Sequence, residues 1–247
     1  MKTAIITGVA GGIGAATSAV FLREGWRVIG VDREQAKDSC YSDFIATDLA
    51  NVTQLDQVFA EVAHKTDRLD ALINNAAVQL CKPLMETTSV EWDEVMAVNL
   101  RAAFLMMQYS YPLLSVRGGS IVNVGSVHAR ATSENIAAYA ASKGGLESLT
   151  RAASLEFAAS GIRVNGVHPG AVKTDMLKAG LNRGHLSDET YEVQLEKLGQ
   201  KHPLGRVGSP KEIAETIFFL ADGQRSSFIT GTFLVSDGGA LGRLSTE

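Results

Sequence analysis

One stretch of the sequence holds a hydroxyl, a phenol and an amine at spacings that suit acid–base chemistry. Ser126 comes just after the apolar run 120–124, which is typical of a buried parallel strand. From residue 136 onward, the content of Ala, Leu and Glu favours a helix. Tyr139 and Lys143 are four residues apart, so they share one face of this helix. The sequence therefore predicts a hydroxyl at a strand end with a phenol and an ammonium beside it.

These groups could exchange a proton with the oxygen of an alcohol or a carbonyl compound. A free phenol has a pKa of about 10, so it is a poor base at neutral pH. A nearby cation favours the phenolate, and lowering the pKa by about three units takes roughly 4 kcal/mol. One ammonium could supply part of this free energy, and a cationic oxidised nicotinamide could supply more. Tyr139 would then be the general acid and base, and Ser126 would hold the reacting oxygen by a hydrogen bond.

The Tyr-x-x-x-Lys pair also has a simpler interpretation. Pairs with this spacing are common on helices, where they usually belong to a solvated face. The catalytic interpretation therefore depends on agreement with the rest of the chain.

The composition restricts the class of protein. The chain has 247 residues, 45% of them hydrophobic, which is enough for one large α/β domain or two small ones. Its formal net charge of -4 argues against binding to nucleic acid or to a membrane surface, because such proteins usually carry basic patches. No apolar run approaches the roughly 18 residues of a membrane span. The N-terminal residues lead straight into a predicted strand, so we expect no signal peptide.

Cysteine and histidine are sparse. Cys40 and Cys81 lack partners at metal-ligand spacing, which fits a reducing compartment and predicts a cytoplasmic protein. The five histidines show no such spacing either, so we expect no metal site. His128, two residues after Ser126, could line the pocket. The histidines expected on the surface are His64, His185 and His202.

Short apolar runs alternate with helical stretches along the whole chain. This alternation implies right-handed crossovers and a parallel sheet covered by helices on both faces. We therefore predict a single doubly wound α/β domain over residues 1–247. The runs predicted to be strands are 4–7, 28–31, 44–47, 71–74, 120–124, 164–167 and 232–235.

A glycine-rich turn follows the first predicted strand. Gly8, Gly12 and Gly14 would let the backbone turn tightly, approach a pyrophosphate and pack helix against strand. The helix behind them is predicted to run to about Glu24, and its first turn would offer N–H groups and a positive dipole end to phosphates. An ordinary strand–helix loop is the alternative. The position between a strand and a helix is the context that nucleotide binding requires.

Two acidic residues follow the next predicted strands. A carboxylate at Asp32 can accept hydrogen bonds from the adenosine ribose and would repel a 2′-phosphate, which favours NAD. The adjacent Arg33 could bind that phosphate instead, so NADP stays open. Asp48 is either a helix cap or a contact to adenine.

Asparagines occupy two further positions of interest. Asn74 and Asn75 end the fourth run, where a simple turn is favoured and contacts to neighbouring loops are the alternative. Asn99 lies within the amphipathic stretch 92–116, although Asn is unfavourable inside a helix. It is either a satisfied buried amide or the site of a helix distortion that serves an active-site water.

Pro169 and Gly170 predict a turn at the carboxyl edge of the sheet, where open α/β sheets bind ligands. The segment 171–209 is long for a connection between core elements. We expect a partly helical lid over the substrate, with a plain surface insertion as the alternative.

Together these motifs resemble the short-chain dehydrogenase/reductase family, in its single-domain branch of about this length. The resemblance covers nearly the whole chain, and its motifs occur in the family's order and spacing. One departure is Ala77, where the family usually has Gly, and we expect only a small backbone adjustment there. The matching positions are Thr7, Gly8, Gly12, Ile13, Gly14, Asp48, Asn74, Asn75, Ala76, Asn99, Ser126, Tyr139, Lys143, Pro169 and Gly170.

The resemblance implies a seven-stranded parallel sheet and hydride transfer to or from a nicotinamide cofactor. Tyr139 would be the catalytic acid/base, Ser126 would orient the substrate oxygen, and Asn99 would hold a water in a proton relay. Lys143 would bind the nicotinamide ribose and lower the pKa of Tyr139. The family is usually tetrameric, so we expect a homotetramer. The expected cofactor contacts are Gly8, Gly11, Gly12, Ile13, Gly14, Asp32, Arg33, Asp48, Leu49, Asn75, Ala76, Tyr139, Lys143, Pro169, Gly170, Val172 and Thr174.

The substrate is less well defined than the reaction. Its expected contacts are Gln79, Ser126, His128 and Tyr139. A polyol, sugar derivative or hydroxy acid is favoured because the candidate pocket residues are mixed in polarity: Gln79, His128, Ala129, Arg130, Met176 and Leu177. We therefore predict an NAD-dependent oxidoreductase that interconverts a secondary alcohol and its ketone. An NADPH-preferring ketone or 3-oxoacyl reductase is one alternative. A catalytically silent nucleotide sensor is another, and the intact set of four catalytic residues argues against it.

Overall fold

The computed structural model describes residues 1–35, 40–181 and 189–243. Within them, seven strands form one sheet in which every strand pairing is parallel. Each strand overlaps its predicted run, so the predicted seven-stranded parallel sheet is confirmed. The strands are β1 (Thr3–Thr7), β2 (Arg27–Asp32), β3 (Asp43–Ala46), β4 (Ala71–Asn74), β5 (Gly119–Val124), β6 (Ile162–Pro169) and β7 (Phe233–Ser236).

Helices connect the strands and cover the sheet. Among the described residues, no helix is both long and apolar enough to cross a membrane. A π-helical turn, Ala97–Arg101, joins the third helix to the fourth. The α-helices are α1 (Gly12–Arg23), α2 (Val52–Lys65), α3 (Ser89–Met96), α4 (Ala102–Leu114), α5 (Ala137–Glu156), α6 (Asp175–Leu181), α7 (Tyr191–Gln200), α8 (Pro210–Ala221) and α9 (Gly223–Ser226).

The strands are apolar on both faces because helices cover both sides of the sheet. Successive side chains of a strand point to opposite faces, and the core divides accordingly. Ile6 packs into a cluster with Phe21 of α1 and Phe218 of α8. Its neighbour Ile5 belongs to a second cluster on the other face, with side chains such as Leu55 of α2. The predicted helical layers on both faces are therefore confirmed.

The order of the strands determines where a ligand can bind. That order is β3-β2-β1-β4-β5-β6-β7, so the chain moves outward in one direction from β1 and in the other from β4. Ligands of open α/β sheets bind at such a reversal, at the carboxyl ends of the strands. The loops that follow β1, β4 and β5 consequently meet at one edge and bring the predicted motifs together.

The stretch 92–116, expected to be one amphipathic helix, is interrupted. α3 begins after a capping box in which the Thr88 side chain accepts from the Glu91 N–H and the Glu91 carboxylate accepts from the Thr88 N–H. The π-helical turn then places Asn99 within it before α4 continues. Such turns often mark functional sites, because the extra residue redirects side chains and backbone groups.

Candidate active site

A cleft of about 1050 Å³ lies at the carboxyl edge of the sheet. Its volume is at the upper end of the range for ligand sites. Asn99 is the one predicted site residue that does not line this cleft. Those that do are Gly8, Gly11, Gly12, Ile13, Gly14, Asp32, Arg33, Asp48, Leu49, Asn75, Ala76, Gln79, Ser126, His128, Tyr139, Lys143, Pro169, Gly170, Val172 and Thr174.

The glycine-rich loop between β1 and α1 is closely packed. Gly8 has a φ of 71°, in the left-handed region that favours glycine. A Cβ on Gly14 would lie 1.9 Å from the Gly8 carbonyl oxygen, so a side chain there would force the loop apart. α1 begins at Gly12 without a side-chain cap, which leaves its first-turn N–H groups for a ligand in the cleft.

Asn75 holds this loop to the end of β4. Its Nδ2 donates hydrogen bonds to the carbonyl oxygens of Thr7 at 2.9 Å and Gly8 at 3.1 Å. Its neighbour Asn74 donates from Nδ2 to Oδ1 of Asn123 on β5 at 2.8 Å. The Asn75 side chain therefore makes the contact with a neighbouring loop that was the alternative to a simple turn, whereas the Asn74 side chain joins β4 to β5.

Asp32 lies half-buried at the end of β2, and the glycine-rich loop fixes its carboxylate. Oδ2 accepts a hydrogen bond from the backbone N–H of Ala10 at 2.9 Å, and Oδ1 accepts from the N–H of Arg33 at 2.7 Å. Arg33 is exposed at the mouth of the cleft. An acidic and a basic residue that are adjacent in sequence thus line the same cleft.

Asp48 does not cap α2, so that interpretation was wrong. The cap is Asn51, whose side chain accepts from the N–H groups of Thr53 and Gln54. Asp48 instead turns the loop before the helix, because its Oδ1 accepts from the Ala50 N–H at 2.9 Å. Its place in the cleft leaves the contact with adenine as a prediction.

Ser126, Tyr139 and Lys143 come together as predicted. Ser126 follows β5, the other two lie on α5, and all three side chains are buried although they line the cleft. Lys143 is 2% exposed, and its Nζ donates to the carbonyl oxygen of Val124 at 2.7 Å. The sheet therefore orients the ammonium through the last residue of β5. A solvated helix face, the simpler interpretation of the pair, is excluded.

Burial is the largest influence on the pKa values of Tyr139 and Lys143. It raises the pKa of Tyr139 to about 12, although a hydrogen bond with Ser126 acts in the opposite direction. Burial also lowers the pKa of Lys143 to about 8. The sequence predicted a lowered pKa for Tyr139. In the protein chain by itself the pKa shifts in the opposite direction, because desolvation of the buried phenol outweighs the hydrogen bond with Ser126. The Lys143 ammonium is bonded to Val124 and lies 5.7 Å from the centre of the phenol ring.

Asn99 is a satisfied buried amide in a distorted part of the helix, and its service to an active-site water stays a prediction. Its amide is buried and satisfied: Oδ1 accepts from the Val78 N–H at 2.8 Å, and Nδ2 donates to the Val78 carbonyl at 2.9 Å and to Ser142 Oγ at 3.0 Å. It also lies in the π-helical turn. Asn99 therefore ties α5 to the loop after β4, behind the wall of the cleft. It lines a small separate cavity there, together with Asn74.

Two histidines line the cleft. The ring of His128 lies edge-on to Tyr139, with 6.0 Å between the ring centres, and burial lowers its pKa. His202, which was expected on the surface, is 6% exposed and lines the cleft. Its Nδ1 lies 2.8 Å from the Leu198 carbonyl in the last turn of α7, so this nitrogen has a hydrogen-bond partner within the buried environment. His64 is exposed as predicted, and His185 lies outside the described residues.

Sequence reasoning missed a histidine–carboxylate pair beneath Ser126. His168, at the end of β6, accepts a hydrogen bond at Nδ1 from the Ser126 N–H at 3.1 Å. Its Nε2 lies 2.9 Å from Oε2 of Glu147 on α5. Glu147 follows Lys143 by four residues and so shares its helix face, a spacing that could have indicated this pair.

The donor groups of the cleft fit a nicotinamide dinucleotide. The uncapped first turn of α1 can bind a pyrophosphate, and the Asp32 carboxylate can accept from ribose hydroxyls. Lys143 and Tyr139 line the same cleft near β5, where a nicotinamide ribose could be bound. The small residues of the loop leave room for the backbone to approach the ligand.

Comparison with known proteins identifies the class. A family model described as enoyl-(acyl carrier protein) reductase matches residues 8–240. The 3-oxoacyl-(acyl-carrier-protein) reductase of Thermotoga maritima is 36% identical over an alignment of 251 positions, which covers 97% of this chain and 98% of that protein. The cyclohexanol dehydrogenase of Acinetobacter sp. (strain SE19) is 35% identical over an alignment of 249 positions, which covers 96% of this chain and 94% of that protein.

A solved structure agrees with these relatives. The ligand-free aldohexose dehydrogenase of Thermoplasma acidophilum matches with a TM-score of 0.93 and 31% identity, over 99% of this chain and 95% of that one. The chain belongs to the short-chain dehydrogenase/reductase family, as its motifs predicted. It is accordingly an NAD(P)-dependent oxidoreductase that acts on CH–OH groups.

Two alanine substitutions should separate the loop's packing from its ligand binding. Gly14→Ala is expected to lower the free energy of unfolding by more than about 3 kcal/mol, because the new Cβ meets backbone. At Gly11, with a φ of -80°, a Cβ would meet only the Gly8 oxygen at 3.5 Å. Gly11→Ala should therefore keep stability within about 0.5 kcal/mol and weaken nucleotide binding. Denaturant unfolding would measure the stability of each variant, and fluorescence titration would measure its affinity for NADH. Equal losses of stability in Gly14→Ala and Gly11→Ala would contradict the prediction.

Proposed function

We propose that the protein is an NAD-dependent oxidoreductase that interconverts a secondary alcohol and its ketone, with Tyr139 as general acid/base. The observation that carries the proposal is the buried Tyr139 phenol, hydrogen-bonded to Ser126 and facing the cleft that the glycine-rich loop lines. A polyol, sugar derivative or hydroxy acid is the favoured substrate class. Its support is the polar wall formed by Gln79 and His128, together with the aldohexose dehydrogenase of the same fold.

In alcohol oxidation, the hydroxyl proton of the substrate passes to the Tyr139 phenolate at Oη as the carbonyl forms. A bound oxidised nicotinamide would supply the acceptor for the hydride that leaves the carbinol carbon. Ser126 Oγ holds the substrate oxygen beside the phenol, so that the proton transfer needs no further movement. In the reverse direction, Tyr139 gives its proton to the carbonyl oxygen. The atoms balance because carbon loses a hydride and oxygen loses a proton.

Lys143 and Asn99 would support this proton transfer. The Lys143 ammonium is within reach of the cleft and would bind the nicotinamide ribose. Asn99 lines a neighbouring cavity of about 10 Å³, about the size that holds one water. We assign to Asn99 the placement of that water in a proton relay.

NAD is the proposed cofactor because the Asp32 carboxylate lines the cleft, where it can accept from ribose hydroxyls and would repel a 2′-phosphate. The Ala10 N–H holds this carboxylate in place by a hydrogen bond. Asp32→Ala should weaken NAD binding about tenfold or more and leave NADP binding nearly unchanged or improved, since a repulsive charge is removed. Arg33→Ala is the matched control at the adjacent position and should weaken NADP more than NAD. Binding of both cofactors would be measured by titration calorimetry. Equal losses of NAD and NADP affinity in Asp32→Ala would show that Asp32 does not select the cofactor.

A panel assay tests the function itself. NADH formation would be followed by absorbance with polyols, sugars, hydroxy acids and cyclic alcohols, using NAD and NADP in parallel. Turnover with NAD on one of these classes supports the proposal.

An NADPH-preferring ketone or 3-oxoacyl reductase is the second candidate, favoured by Arg33 and by the Thermotoga maritima relative. NADPH oxidation with ketones alone would favour that candidate, and cofactor binding without any turnover would indicate a nucleotide sensor.

We further propose a single domain over 1–247 in which 171–209 forms a lid. α6 and α7 lie in this segment, and Met176, Leu177 and Leu198 line the cleft, which supports the proposal; residues 182–188 lie outside the described part of the chain.

A cytoplasmic homotetramer is also proposed. Leu155 is 80% exposed and Phe228 fully so, and apolar side chains of this kind often lie in subunit interfaces. Sedimentation analysis should give four times the 26.3 kDa of one chain.

A further inference from the structure

His168 is completely buried at the end of β6, directly below Ser126. Its Nδ1 accepts a hydrogen bond from the Ser126 backbone N–H at 3.1 Å, so this nitrogen carries no proton. The proton of the neutral ring is then on Nε2, which donates to Oε2 of Glu147 at 2.9 Å. The two contacts define one tautomer and one orientation of the imidazole.

The surrounding residues leave the ring no second position. A Cβ on Gly125 would lie 2.5 Å from Nδ1, so the glycine before Ser126 lets the imidazole approach the backbone. The Phe233 ring of β7 stacks on the imidazole with 4.2 Å between ring centres and 17° between planes. A Cβ on Gly166 would lie 2.1 Å from the same Phe233 ring, so this glycine makes room for the stack.

Charged groups on α5 and the loop after β5 fix the other end of the pair. Glu147 accepts hydrogen bonds from Arg130 and Arg151, each at 3.1 Å. Burial lowers the pKa of His168, the Glu147 hydrogen bond opposes this, and the charges of Arg130 and Lys143 lower it further. His168 is therefore neutral at pH 7. A neutral ring keeps the acceptor at Nδ1 that the Ser126 N–H needs.

We propose that His168 is a positioning residue for the reaction: by accepting the Ser126 N–H it holds the serine hydroxyl against Tyr139, while Glu147 fixes its tautomer. The proposal rests on the function proposed above for Ser126 and Tyr139. Ser126 has non-helical backbone angles at the start of a short 3₁₀ turn, and its Oγ accepts from the His128 N–H at 3.2 Å. A shift of its backbone would move the hydroxyl that orients the substrate.

Two amide variants of His168 each keep the hydrogen bond at one end of the imidazole and lose the hydrogen bond at the other end. In His168→Asn, the amide oxygen can take the place of Nδ1 and accept from Ser126, while the link to Glu147 is lost. In His168→Gln, the longer amide reaches Glu147, while the acceptor for Ser126 is lost. A merely structural role would make the two variants fail together, whereas a positioning role separates them.

The steady-state experiment uses the full chain and the best substrate of the panel assay. His168→Gln is expected to lower kcat roughly 10- to 100-fold, with KM and NADH affinity changed less than about threefold, because the reacting oxygen is misplaced. His168→Asn should retain kcat within about fivefold of the wild type. Equal kcat losses in the two variants, or a loss confined to KM or NADH affinity, would overturn the proposal. A wild-type protein without turnover would count against the proposed function instead.

A spectroscopic measurement tests the placement of the ring without turnover. In protein labelled with ¹⁵N-histidine, NMR should give one buried imidazole with a bare Nδ1 and a protonated Nε2, and this signal should vanish in both variants. The measurement on wild type stands even if a variant does not fold. A His168 signal with protonated Nδ1 would overturn the proposal.

Discussion

Tyr139→Phe is expected to lower kcat by about a thousandfold or more while the protein keeps its fold and its affinity for NADH. General acid–base catalysis typically contributes a factor of roughly 10² to 10⁴, and the proposed mechanism assigns the exchange of the substrate proton to this phenol. The phenyl ring fills the same buried volume. Only the hydrogen bond to Ser126 is lost, which should cost about 1 kcal/mol of stability. Steady-state kinetics and NADH titration would measure both effects.

The chain provides a matched control for this substitution. Tyr111 on α4 also pairs its hydroxyl with a serine, Ser160, at 2.6 Å, but it does not line the cleft. Tyr111→Phe should therefore leave kcat unchanged. Turnover in Tyr139→Phe close to that of Tyr111→Phe would end the proposed mechanism.

The pH dependence of the wild type provides a second check on Tyr139. Alcohol oxidation needs the phenolate, and burial raises the pKa of this phenol to about 12 in the chain alone. The rate of oxidation should therefore rise with pH across the neutral range, while ketone reduction, which needs the phenol, should not.

Lys143→Met is expected to lower kcat by about a hundredfold, because the ammonium that would bind the nicotinamide ribose is removed. The substitution keeps an unbranched side chain in the buried position. It leaves the Val124 carbonyl without the Nζ donor that bonds it at 2.7 Å. Lys173→Met, at an exposed lysine of the turn after β6, is the control and should change kcat less than about twofold.

The same variant should change how stability depends on pH. Burial lowers the pKa of Lys143 from 10.5 to about 8, so the unfolded chain binds its proton more tightly than the folded one. The free energy of unfolding should therefore rise between about pH 8 and pH 10.5, by up to roughly 3 kcal/mol for this group. Denaturant unfolding at several pH values would measure the rise. If Lys143→Met showed the same rise in the free energy of unfolding as the wild type, a group other than Lys143 would be its cause.

Local pattern was enough to predict most of the fold. Each strand is an apolar run between turn residues, and the helices follow from composition and spacing, so the strands were predicted to within two residues at each end. The site residues were also predictable because parallel strands place the loops that follow them at one edge of the sheet. The cap that was one of two interpretations of Asp48 and the surface position expected for His202 were wrong, since a helix cap and the burial of a side chain depend on neighbours that spacing does not reveal.

The sequence by itself determined the alternation of strands and helices, the glycine-rich turn after β1 and the shared face of Tyr139 and Lys143. These depend on neighbours within about one helical turn or one loop. The tertiary structure decided the direction of the pKa of Tyr139, the bond of Lys143 to β5 and the pairing of His168 with Ser126, 42 residues earlier in the chain. Burial and contacts between distant residues exist only once the order of the strands has brought β5, β6 and α5 together.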